Sequence, residues 1–84
     1  MLARAYLGAG SYDDAFRTYE QAATLASPAD RKSLAGQFGF MGVGDGYMTA
    51  GRGRDALRAY QKGLELDPTN ADLPAKIAAA RAKP

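Results

Sequence analysis

Two runs of apolar residues at helical spacing, parted by glycines and stopped by a proline, constrain this chain more than any other feature. Phe40, Val43, Gly44 and Tyr47 recur at intervals of helical contact, Gly51 and Gly53 interrupt, and Ala56, Leu57, Tyr60, Gly63, Leu64 and Leu66 resume until Pro68. Such intervals place side chains on one face of an α-helix, and glycine is favoured just past a helix end. The stretch therefore predicts an antiparallel helical hairpin. Small residues at Gly44 and Ala56 let the two backbones approach, while Phe40, Tyr47 and Tyr60 fill the wedge around that contact.

An earlier copy of the pattern precedes it. Leu2, Ala3, Tyr6 and Leu7 match Val43, Gly44, Tyr47 and Met48, and Gly10 answers to Gly51. Ala15, Phe16, Tyr19, Ala22, Ala23 and Leu25 follow, nearly position for position with the second run. The bulky residue expected before Leu2 would precede Met1, so the first helix lacks its opening turn. Ser11-Tyr12-Asp13-Asp14 reads as a helix start, with the Ser11 hydroxyl as cap and Asp14 closing a capping box. That helix should end near Ala26.

Phe40-x-x-Val43-Gly44-x-x-Tyr47, Ala56-x-x-x-Tyr60 and Pro68 together resemble the tetratricopeptide repeat (TPR) family, with phenylalanine in the usual tryptophan place and tyrosine in the usual phenylalanine place. The resemblance implies an all-α, superhelical domain of about two helical hairpins and a capping helix. Repeat one would span residues 1–27 with a truncated first helix, repeat two 28–69 with an extended first helix, and the cap 71–83. Tyr19 and Tyr60 are offset by 41 residues, against a family period of about 34. The excess is close to two helical turns, which lengthens a helix without rotating its buried face. Ser27-Pro28-Ala29-Asp30 supplies the new start, and one helix from about Pro28 to Thr49 is expected. Gly36, Gly39, Gly42, Gly44 and Gly46 lie in it, and interior glycine costs about 1 kcal/mol relative to alanine, so a kink or fraying is the alternative. In the cap, Leu73, Ile77 and Ala80 face inward, with Lys76, Arg81 and Lys83 outward.

In TPR arrays the first helix of each hairpin lines a concave groove that binds peptides or partner helices. Leu34, Phe38, Met41, Asp45 and Met48 form a second stripe on the long helix, roughly opposite Phe40, Val43 and Tyr47. One reading is a peptide-binding groove with Phe38, Met41 and Met48 as adaptable apolar contacts and Asp45 as a polar anchor, joined by Arg4 and Leu7 from the first helix. The other is that the stripe packs against the first hairpin or a second copy, and that Asp45 pairs with Arg4 or stands in water. Phe38, Met41, Gly42 and Asp45 stand where family members that grip a C-terminal carboxylate need lysine and asparagine, which disfavours that role.

Composition narrows the function classes. The chain has 84 residues, no cysteine and no histidine, which removes disulfides, Ser-His and Cys-His nucleophile pairs, imidazole acids and bases, and ordinary transition-metal sites. Asp13, Asp14 and Asp45 are the carboxylates worth considering for catalysis, and none has an acid–base partner in the sequence. Gly42-Val43-Gly44-Asp45-Gly46 fails the phosphate-loop templates. Arg52, Arg54, Arg58 and Lys62 form the densest basic patch, but Asp55, Glu65 and Asp67 dilute it, which disfavours nucleic acid. No run approaches the roughly 18 apolar residues of a membrane span, and Met1 opens onto no secretory signal, leaving the cytoplasm as the default location. The expectation is a non-enzymatic, cofactor-free protein-interaction module or scaffold segment. The alternative is a homodimer that completes its solenoid through Leu2, Tyr6 and Leu7.

Overall fold

The polar turns of the chain divide it into short rods. A computed structural model describes residues 8–37 and 39–82, and every regular element among them is an α-helix: α1 (Tyr12–Leu25), α2 (Pro28–Leu34), α3 (Phe40–Thr49), α4 (Gly53–Leu66) and α5 (Asp72–Ala82). Helices α3 and α4 form the central hairpin, α1 packs on α3, and α5 packs on α4.

The hairpin turn follows from local hydrogen bonding. Gly51 adopts a left-handed φ of 78°, which lets its N–H reach the Met48 carbonyl at 3.1 Å and the Arg52 N–H reach the Tyr47 carbonyl at 2.8 Å. This is a Schellman ending, and a residue with a Cβ resists it. Gly10, its counterpart before α1, has nearly the same φ of 79°. Asn70 starts α5, its side-chain oxygen accepting the N–H groups of Asp72 at 2.9 Å and Leu73 at 3.3 Å.

Phe40 sits at the centre of the core with no exposure. Its ring meets Phe16 edge-on at 5.4 Å and Tyr19 at 5.9 Å, both on α1. Further along α3, Gly44 lies against the ring of Tyr60 on α4, and Gly46 lies against the ring of Tyr12 on α1. Two glycines on one helix thus admit two aromatic rings from two neighbours. Ala56 is fully buried in the same hairpin, so the small residues expected to allow close approach do face the contact. Leu73, Ile77 and Ala80 are the buried residues of α5, as their spacing predicts.

Four expectations need correction. The long helix from Pro28 to Thr49 is broken between Leu34 and Phe40. There the backbone uses tight bonds, Ala35 N–H to Lys32 O at 3.2 Å, Gly36 N–H to Ser33 O at 3.3 Å and Gly39 N–H to Gly36 O at 2.9 Å. The bend carries Ala35 into the core, fully buried, and brings Gly39 so near the Leu34 carbonyl that a Cβ would collide with it. Helix α2 itself buries no residue. Second, Ser11 precedes α1 without a side-chain capping bond, and Asp14 pairs with Arg17 at 2.8 Å instead of closing a capping box. Third, Leu25 is 88% exposed, since it lies two residues past buried Ala23 and so points to the far side of the helix. Fourth, Lys76 does not point outward into solvent but folds over α4 to reach α3.

Candidate functional site

Helix α3 positions the candidate site. Among the described residues it is packed by α1 and by α4. Of the groove residues expected from sequence, Arg4, Leu7 and Phe38 lie outside the described residues. Met41 is only 8% exposed and belongs to the core, so packing accounts for it. Met48 is half-buried against that core. Asp45, one turn before Met48, keeps 43% of its side chain exposed.

Asp45 is nevertheless held in place. Its Oδ1 accepts the Tyr60 hydroxyl at 2.5 Å and the Lys76 ammonium at 2.9 Å, and the Lys76 nitrogen lies 5.9 Å from the Tyr60 ring centre. Three helices therefore converge on one carboxylate oxygen. Burial pushes the Tyr60 hydroxyl well above the usual tyrosine range, and the bond to Asp45 pushes it further. The sequence marked Asp45 but not these partners. Lys76 lies 31 residues away, and no local spacing links a cap residue to the hairpin it covers.

A second polar node joins α1 to the central hairpin. Tyr47 on α3 donates its hydroxyl to Asp13 on α1 at 2.6 Å. Arg52, in the turn, reaches Asp13 through two nitrogens at 3.1 and 3.3 Å and Asp55 through Nε at 2.7 Å, while its guanidinium covers the Tyr47 ring at 4.7 Å. The Tyr47 bond and then the Arg52 bonds hold the Asp13 carboxyl below its ordinary value. Burial, and then the same bond, raise Tyr47. Arg52 is itself raised by its bond to Asp13.

A depressed carboxyl contributes stability that is complete above the ordinary aspartate pKa, about 4, and that drains as pH falls through the lower folded value. Asp13 is exposed, so the effect is a fraction of about 1 kcal/mol. Thermal melts between about pH 6 and pH 2 should therefore show wild type losing more stability than Asp13→Asn, with the two curves converging at the acid end. Parallel curves would remove Asp13 from the clasp.

Beside this node a cleft of about 300 Å³ opens between α1 and α4, lined by Asp13, Phe16, Arg17, Glu20, Tyr47, Asp55 and Arg58. Arg17 is paired to Asp14 at 2.8 Å, and Arg58 leans over Phe16 at 5.6 Å. Carboxylates and guanidiniums alternate around it, so neither sign of ligand is favoured. Among the described residues no cluster of acidic groups is arranged to hold a metal ion, and no helix is long and apolar enough to cross a membrane. No family model, curated protein or solved structure matches the chain.

Proposed function

We propose that the chain is a non-enzymatic protein-interaction module of TPR-like architecture, a segment of a helical scaffold that docks a peptide or partner helix along the side of α3 that carries Asp45. The observation that carries this reading is that α3, packed by α1 and α4 among the described residues, keeps 43% of the Asp45 side chain exposed, with partly buried Met48 one turn along. The left-handed glycines at matched places, Gly10 and Gly51, and the close Gly44–Tyr60 approach support the repeat architecture that would set such a wall in a curved stack. The self-assembly alternative rests on Leu2, Tyr6 and Leu7, which lie outside the described residues.

A peptide seated there would draw its affinity from a few apolar and polar anchors. For the tightest binder recovered from a random peptide library, Met48→Ala should weaken affinity by about 1 kcal/mol, since a partly buried anchor loses that much on truncation. Fluorescence anisotropy on the labelled peptide measures the change, and hydrogen exchange locates the footprint. Protection confined to the α1–α4 cleft, with α3 unaffected, would overturn the assignment.

A further inference from the structure

The arrangement at Asp45 points to the chemistry of the partner. We infer that the α3 face recognises an arginine side chain through Asp45, and that Lys76 is an internal occupant of the same carboxylate which the partner displaces. This rests on the reading of the α3 side as the docking face.

Both donors to Asp45 share one oxygen, the Tyr60 hydroxyl and the Lys76 ammonium each going to Oδ1. Among the described residues no bond to Oδ2 is present, so half of the carboxylate is open to an incoming donor. A guanidinium presents two parallel N–H groups to both oxygens of a carboxylate, which a lysine ammonium does not. The resident pair is weakly held. Side-chain exposures of 34% for Lys76 and 43% for Asp45 put it among surface ion pairs, which contribute little because water screens them. Tyr60 is different. Its buried ring and hydroxyl anchor Asp45 from below, so the carboxylate keeps its orientation when Lys76 leaves.

No other acid stands on α3. With Lys76 displaced, Asp45 is a lone negative charge on that side, and charge complementarity selects a cation. The shape of the open carboxylate selects the planar, bidentate one.

The test uses nonapeptide pools randomised except at the central position, which is fixed as arginine, lysine, glutamate or citrulline, the last a neutral isostere of arginine. Retention on immobilised full-length protein is expected to favour the arginine pool over the citrulline pool by about tenfold, as a charge-assisted bidentate anchor should. Asp45→Asn should abolish that ratio while leaving the circular dichroism spectrum and melting midpoint near wild type. Lys76→Met should raise arginine-pool retention by about threefold, having removed a competitor. Pools retained without preference for arginine, an arginine preference that survives Asp45→Asn, or reduced or unchanged retention by Lys76→Met would each overturn the inference while leaving the interaction module standing. Retention of no pool at all would overturn both.

Discussion

Truncating Phe40 to alanine is expected to destabilise the fold by about 3 to 5 kcal/mol, the range for removing a buried phenylalanine. Phe40 is fully buried and lies where α1 meets the central hairpin, against Phe16 and Tyr19. Its β-carbon is also among the atoms nearest the place a side chain on Gly63 of α4 would occupy. Removing the ring therefore opens a cavity shared by three helices, and the two tyrosine and phenylalanine rings beside it lose aromatic contacts worth about 0.5–1.5 kcal/mol each. A chain of this size has a total stability of roughly 4 to 13 kcal/mol, so the loss removes from about a quarter to all of it. Urea titration followed by circular dichroism measures the loss. A shift below about 1 kcal/mol would mean that the surrounding helices close over the gap, which is contrary to the usual behaviour of close-packed cores. Phe40→Leu, which keeps most of the volume, should stay within about 1.5 kcal/mol of wild type.

Gly44→Ala is the second large effect, and its sign runs against helix propensity. Alanine in place of an interior glycine ordinarily stabilises a helix by about 1 kcal/mol. Here the added methyl would collide with the Tyr60 ring. That ring cannot swing aside cheaply, because it is 2% exposed and its hydroxyl is tied to Asp45. Overpacking costs about 1–3 kcal/mol for extra methylenes forced into a filled site, so against the propensity gain a net loss of up to about 2 kcal/mol is expected, with a drop in melting midpoint of up to about 15 °C for a domain of this length. Gly46→Ala provides the comparison. It meets the ring of Tyr12, which is only half-buried and has room to yield. If Gly44→Ala raised the melting temperature, the close contact between α3 and α4 would not be as tight as the geometry requires.

Residue pattern alone reached the helical class, because the relevant forces are local or periodic. The Gly51 turn needs a residue without a Cβ, Ser27 and Pro28 mark a helix start that the Ser27 side chain does cap, at 3.3 Å, and Leu73, Ile77 and Ala80 share a face by spacing alone. Gly10 and Gly51, matched in the sequence, both adopt a left-handed φ. The break after Leu34 was only half legible. The glycines announced weakness there, but not that Ala35 would be drawn inward while α2 remained outside the core.

For the candidate site, the residue types on α3 showed that Asp45 was an isolated charge among apolar neighbours, and nothing more. Whether Met41 faced a groove or the core depended on the rotation of α3 between α1 and α4, which is set by the Gly44–Tyr60 and Gly46–Tyr12 approaches. The partners of Asp45 and Asp13 came from helices far along the chain, Lys76 from the cap and Arg52 from the turn. The sequence by itself determined the helical class, the Gly51 turn and the buried face of the last helix, because hydrogen bonding and periodicity act within a few residues. Only the tertiary structure decided which charges meet and which apolar side chains are left at the surface. Those outcomes depend on how three or four helices crowd one another, and contact across that distance leaves no local signature.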